Sequence, residues 1–144
     1  MKKNPYREVL ILLQASGATR LLANFAWVTD KPAPCGCLFG TVTRHAGVAT
    51  NYFGPYAMYA PQAFREWAGE HGLTWEIVEE LEIFNDRYAA EALSDELEEL
   101  GIDPDEDGHT DERLDIDFEH FSKARYAAVV AYLEEKATAF DKSL

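Results

Sequence analysis

Two cysteines, Cys35 and Cys37, stand at the start of a predicted helix. The amide groups of a helix N-terminus stabilise a thiolate, and this is a common way to activate a nucleophilic cysteine. Such a cysteine also needs a histidine base and often an Asn or Asp that orients the base. His45 follows two turns later, His71, His109 and His120 are also available as the base, and Asn85 or Asp86 is available to orient it. A cysteine-dependent enzyme is therefore one hypothesis, although the residue types favour small, buried, apolar cysteines.

The spacing of the two cysteines argues against two other uses. A single residue separates them, which makes a poor structural disulfide and closes no useful loop. A structural zinc site needs four nitrogen or sulfur ligands, and a Cys-x-Cys pair with distant histidines does not supply them. We therefore expect reduced thiols and no metal at this position.

An aspartate-rich stretch, residues 103–108, matches the first six positions of a calcium loop. Aspartates at positions 1, 3 and 5 supply hard oxygens, and Gly108 at position 6 allows the sharp turn. The match ends at position 12, where Leu114 stands in place of the bidentate glutamate. The stretch resembles EF-hand and related calcium loops, but a solvated acidic turn is favoured, so no cofactor is predicted and calcium is the alternative. The candidate calcium ligands are Asp103, Asp105, Asp107, Asp111 and Asp115.

Negative charge is concentrated in residues 76–119. This block holds 19 acidic residues against two bases, for a formal charge of −17, while the whole chain carries −13. Such a block repels nucleic acid and attracts basic surfaces. Direct nucleic-acid binding is therefore not expected.

Carboxylates three or four residues apart on a helix lie about 5–6 Å from one another. DNA presents a phosphate about every 1.7 Å along its axis, so a carboxylate array can imitate its field for a nucleic-acid-binding protein. The simplest interpretation is that the acidic residues keep a small domain soluble. The functional hypothesis is a surface for a basic partner, with exposed aromatic residues as anchors. The candidate partner-binding residues are Glu91, Asp95, Glu96, Glu98, Glu99, Asp103, Asp105, Asp107, Tyr52 and Tyr56.

The aromatic anchors come from an irregular stretch, residues 51–59, which Gly54-Pro55 interrupts. Tyrosine and methionine are enriched in the cores of interfaces. The favoured alternative is a loop whose rings cover the core. Exposure of Tyr52 and Tyr56 would indicate a protein partner.

N-cap residues and helical periodicity predict helices along most of the chain. Asn4-Pro5 is a typical helix start, and Thr74 is a predicted N-cap for a helix over residues 75–84. Helices are also predicted over residues 35–46 and 61–71, and Asp117 is expected to cap a long last helix reaching about Phe140. The pattern predicts one mostly α domain, residues 1–144, with six or seven helices, an irregular aromatic loop and an acidic loop. The acidic segment 88–117 is a candidate insertion.

The N-terminus carries only a weak resemblance to a secretion signal. Lys2 and Lys3 precede an apolar run of five residues, Val9 to Leu13, whereas a signal peptide needs about 7–15. No run reaches the length of a membrane span. We expect a cytoplasmic protein without membrane contact.

Four segments resemble a group of small bacterial and phage proteins that carry a Cys-Ala-Leu-Gly-Ala-like helix and a later Asn-Asp. The resemblance implies a compact helical domain and no particular activity. The acidic stretch 88–117 departs from that pattern. The matching segments are residues 37–42, 46–47, 83–86 and 125–130.

These observations favour a non-enzymatic acidic interaction module. One concrete version is an inhibitor or nucleic-acid mimic that binds a nucleic-acid-binding protein, such as a phage anti-defence protein. The alternatives that remain are a cysteine-dependent enzyme and a calcium-binding loop protein.

Overall fold

The computed structural model describes residues 3–21, 37–48, 62–85 and 118–144, and these residues are mostly helical. None of them lies in a β-strand, which confirms the mostly α fold class. The predicted total of six or seven helices and the two predicted loops extend outside the described residues. Within these four ranges, no helix is both long and apolar enough to cross a membrane. The five helices are α1 (Pro5–Ala15), α2 (Leu38–His45), α3 (Gln62–Glu70), α4 (Trp75–Ile83) and α5 (Phe118–Lys142).

Local capping chemistry sets the ends of α1 and α4. The Asn4 side chain accepts a hydrogen bond from the Arg7 amide at 3.2 Å, and Pro5 occupies the first helical turn. Thr74 caps α4 in the same way, accepting from the Ile77 amide at 3.3 Å. Both caps are as predicted from the sequence.

The start of α2 differs from the prediction. The helix was expected from residue 35, whereas Cys37 is its N-cap, with extended backbone, and Leu38 is the first helical residue. The difference matters chemically because it moves Cys37 to the position where a side chain accepts from the first-turn amides.

The core is built from apolar faces of all five helices. Val9, Phe39 and Leu133 are fully buried, and each such side chain contributes roughly 1.5–3 kcal/mol relative to an exposed one. The Phe39 ring meets Phe64 edge to face, with centroids 5.7 Å apart, and Trp67 at 6.4 Å. These contacts fix α2 against α3.

Helix α1 runs antiparallel to α5. At one end, the Asn4 side-chain amide donates to the Ala137 carbonyl at 2.8 Å. At the other end, the Leu21 amide donates to the Ser122 carbonyl at 3.1 Å. This alignment places Tyr6 beside the C-terminal half of α5.

Candidate functional site

Cys37 is a buried thiol at the N-terminus of α2. Its Sγ atom accepts a hydrogen bond from the Gly40 amide at 3.3 Å, and the residue is 4% exposed. The amide and the helix dipole favour negative charge on the sulfur. The burial keeps reagents and substrates away from it. Cys35, the other predicted nucleophile, lies outside the described residues.

The structure does not bring the predicted histidine base to Cys37. His45 is the last residue of α2 and is exposed, whereas Cys37 precedes the first residue of the same helix. Eight residues of α-helix separate them by about 12 Å along the axis. A base needs to approach within about 3 Å of the proton it takes. Cys37 and His45 therefore do not form a catalytic pair in this arrangement.

Asn85, proposed as an orienting residue, is buried directly after α4 and is 1% exposed. Its carbonyl oxygen accepts a hydrogen bond from Nε of Arg125 at 2.8 Å. The neighbouring candidate Asp86 lies outside the described residues. Asn85 thus has a structural partner on α5.

Among the residues that the structure describes, Arg125 is the largest fully buried side chain, with 1% exposure. A buried guanidinium is costly unless hydrogen bonds compensate it, so its bond to the Asn85 carbonyl is important to the junction between α4 and α5. Two further polar residues are buried. Glu82 lies three residues before Asn85, and Ser122 lies three residues before Arg125. Residues at that spacing share one side of a helical segment. A polar centre therefore lies between α4 and α5. Helical periodicity leaves the inward position on α5 open between Ala124 and Arg125.

A second polar group, which the sequence analysis did not identify, joins α1, α4 and α5. The Glu80 carboxylate accepts hydrogen bonds from the Tyr6 hydroxyl at 2.6 Å and from the Tyr132 hydroxyl. The Lys136 ammonium lies 3.4 Å from the same carboxylate. We refer to Tyr6, Glu80, Tyr132 and Lys136 as the tyrosine–glutamate cluster.

The cluster changes the ionisation of its members. Burial, followed by the hydrogen bond to Glu80 and its charge, raises the pKa of both Tyr6 and Tyr132. Burial alone would raise the pKa of Glu80, but the two tyrosine hydroxyls and the Lys136 charge outweigh it, and the pKa is lowered. At neutral pH the cluster therefore holds two neutral phenols and an ionised carboxylate.

One sequence signal points to this cluster. Glu80 falls between Ile77 and Leu81 on the apolar stripe of α4, where a carboxylate needs a polar partner. Helical periodicity places both Tyr6 and Tyr132 on the inner faces of their helices. Their meeting depends on the packing of α1 on α5, which helical periodicity does not specify.

The acidic residues of α4 have different surroundings. Glu76 is exposed, Glu79 and Glu80 are half-buried, and Glu82 is buried. Only part of the α4 charge therefore reaches solvent. The other fifteen acidic residues of the block follow Asn85 in the sequence.

The remaining predicted site residues lie outside the described ranges. Among the residues that are described, no group of three or more His, Cys, Asp or Glu side chains is arranged to hold a metal ion. The calcium hypothesis concerns other residues and stays a prediction. The predicted site residues outside the described ranges are Tyr52, Tyr56, Glu91, Asp95, Glu96, Glu98, Glu99, Asp103, Asp105, Asp107, Asp111 and Asp115.

No family model, curated protein or solved structure matches this chain. The resemblance to small bacterial and phage proteins therefore stays an expectation. Its segments contain three of the buried polar residues, namely Thr41, Asn85 and Arg125. Two of these, Asn85 and Arg125, are in direct contact.

Proposed function

We propose that this protein is a non-enzymatic interaction module whose acidic segment binds a basic protein surface. The partner is a nucleic-acid-binding protein, and the module occupies its nucleic-acid site as an inhibitor or mimic, as a phage anti-defence protein would. The observation that carries the proposal is the concentration of 19 acidic residues and two bases in residues 76–119.

The charge of the chain is not balanced internally. It has 26 acidic residues and 13 bases, so complete pairing of every base still leaves 13 carboxylates in excess. Some of the bases already form ion pairs within the described helices. Arg7 pairs with Asp141 at 2.8 Å, and Lys136 pairs with Glu80 at 3.4 Å. The excess creates a field that steers basic partners toward the protein.

Charge alone gives attraction and speed of association rather than tight binding. Most affinity in protein interfaces comes from a few buried anchors, often aromatic. Tyr52 and Tyr56 are the proposed anchors.

The test is a tagged pull-down from nuclease-treated host lysate at low and high salt. The charge variant changes Glu96, Glu98, Glu99, Asp103, Asp105 and Asp107 to Gln or Asn. The proposal expects a nucleic-acid-binding protein that is recovered at low salt by the wild type and lost with the charge variant.

A nearly charge-matched control changes five exposed carboxylates on the described helices to Gln, and it should retain the partner. Loss of the partner with both variants would mean that total charge, rather than the acidic segment, carries the binding. Recovery of no specific protein at either salt concentration would refute the proposal. The five control residues are Glu66, Glu70, Glu76, Glu134 and Glu135.

The second candidate function is a cysteine-dependent enzyme. The hydrogen bond from the Gly40 amide to the Cys37 sulfur favours it. The burial of Cys37 and the distance to His45 weigh against it. Activity that is lost on Cys37→Ala and retained in the charge variant would support this alternative.

A further inference from the structure

The Lys136 ammonium lies beside two aromatic rings and a carboxylate. Its Nζ atom is 5.9 Å from the Tyr6 ring centroid and 5.7 Å from that of Tyr132. The Glu80 carboxylate is 3.4 Å away. Aromatic faces together with a carboxylate are the groups that proteins use to recognise ammonium ions.

The two tyrosine rings and the Glu80 carboxylate form the walls of a site around the Lys136 ammonium. Contacts that do not involve Lys136 hold these walls in place. Both tyrosine hydroxyls donate to Glu80, so each ring is fixed at its outer end. The Tyr132 ring also stacks on Phe84, with centroids 3.9 Å apart. Three helices contribute to the walls, and the α1–α5 packing fixes their spacing. A site with fixed walls binds without the cost of ordering them.

The Lys136 side chain, which occupies this site, is held less firmly than the walls. The Lys136 side chain is 39% exposed and sits on a flexible four-carbon stem. Partly exposed ion pairs of this kind contribute little, because solvent screens them and the long side chain loses conformational freedom. Lys136 can therefore leave the rings at low cost, and Glu80 keeps both tyrosine hydrogen bonds when it does.

We propose that Tyr6, Tyr132 and Glu80 form a binding site for an external alkylammonium group, which Lys136 occupies until that ligand displaces it. The ligand class is a methylated or primary amine. Methylated amines suit the aromatic faces best because they are weakly hydrated and still carry a full charge. The three residues of this site are not among those proposed for the acidic interface.

The experiment titrates tetramethylammonium chloride into ¹³C-tyrosine-labelled protein and follows the ring signals by NMR. Sodium chloride at equal concentration corrects for ionic strength. The variant Lys136→Ala removes the internal occupant, and we expect it to bind about two- to fivefold more tightly than the wild type, since it lacks the weakly held tethered competitor. Lys142→Ala, on the same helix, should behave as the wild type.

A second titration uses Nα-acetyl-lysine amide. Tighter binding of tetramethylammonium would assign the site to methylated amines, and tighter binding of the lysine derivative would assign it to the side chain of a partner. In the Lys136→Ala background, Glu80→Gln should weaken either ligand about tenfold, because the carboxylate supplies the charge that faces the ammonium.

The absence of a saturable shift in a folded Lys136→Ala protein would overturn the proposal, as would equal affinity for the wild type and this variant. Circular dichroism confirms folding before each titration. Lys136→Gln is the second variant if alanine at this position prevents folding, because it retains part of the stem without the charge. The same two outcomes decide the proposal in that variant.

Discussion

Glu80 shows how a carboxylate counted in an acidic block can serve the fold. Its two oxygens accept hydrogen bonds from Tyr6 and Tyr132, and Lys136 lies alongside. One side chain thereby connects α1, α4 and α5. Hydrogen bonds to an ionised acceptor are stronger than those between neutral groups.

Replacement of Glu80 by Gln tests this role. The variant keeps the shape but loses the charge, and we expect the free energy of unfolding to fall by about 1–2 kcal/mol. Urea denaturation followed by circular dichroism gives the value. Glu76→Gln is the control, because that residue is exposed on the same helix and should change stability by no more than about 0.5 kcal/mol. Equal effects of the two changes would contradict the assigned role.

The stability contributed by Glu80 depends on pH in a defined direction. Its pKa is lowered in the folded state, so the unfolded chain takes up the proton first as the pH falls. The contribution is complete above the ordinary value of 4.5 and disappears as the pH falls through the lower folded value. The difference in unfolding free energy between wild type and Glu80→Gln should therefore be largest at pH 7 and smaller at pH 3. An unchanged difference at the two pH values would show that the charge of Glu80 is irrelevant.

The Cys37 thiol should react slowly despite its position at a helix N-terminus. Its 4% exposure requires local opening before a reagent can reach the sulfur. In a Cys35→Ser background, maleimide labelling at pH 6 should be at least about 100-fold slower than labelling of free cysteine. His45→Ala should leave the rate unchanged, because about 12 Å of helix separates the two residues. Labelling faster than that of free cysteine would instead support a catalytic thiol.

At the scale of elements, the α4–α5 junction depends on a buried base. Arg125 reaches from α5 to the Asn85 carbonyl just after α4, and both residues are 1% exposed. The charge is removed from water, and the hydrogen bond to the Asn85 carbonyl replaces part of its hydration.

Arg125→Ala should destabilise the protein by at least about 3 kcal/mol. The change opens a cavity and removes the donor to the Asn85 carbonyl. Thermal and urea unfolding measure the loss. Lys123→Ala, an exposed change two residues earlier on α5, should cost no more than about 0.5 kcal/mol. An Arg125→Ala protein as stable as the wild type would show that the buried base is dispensable.

The sequence predicts the elements better than their contacts. Asn4, Pro5 and Thr74 mark helix starts through local hydrogen bonding and fixed φ, and the structure confirms these starts. The inward positions of Val129 and Leu133 also follow from helical periodicity. The meeting of Tyr6 with Glu80, or of Arg125 with Asn85, links residues 74 and 40 positions apart. Such contacts depend on how helices pack against one another, which periodicity does not determine.

The candidate site, too, could be predicted from the sequence only in part. Residue types and spacing were enough to identify a thiol at a helix start, and Cys37 is the N-cap of α2. The three-dimensional distance that excludes His45 as its base follows only from the helix bounds. The tyrosine–glutamate cluster was missed because its members are far apart in the chain and none is unusual alone.

At the scale of the whole molecule, the main electrostatic feature is the formal net charge of −13. Attraction between exposed charges falls off beyond the Debye length, which is about 10 Å at 0.1 M salt and about 3 Å at 1 M. An interface that depends on the acidic segment is therefore sensitive to salt. Binding of an ammonium at the tyrosine–glutamate cluster depends instead on contacts with a few neighbouring side chains. The two proposals predict separate effects of mutations in residues 96–107 and at Lys136.

The most direct test of the central proposal is the affinity of the captured partner, measured by calorimetry from about 0.05 to 0.5 M salt. For the wild type we expect the Kd to weaken at least about tenfold across this range, because exposed charge pairs are screened. The six-residue charge variant should bind weakly throughout and show a shallower dependence on salt. A Kd that is the same at both salt concentrations, and the same for wild type and variant, would contradict an acidic interface.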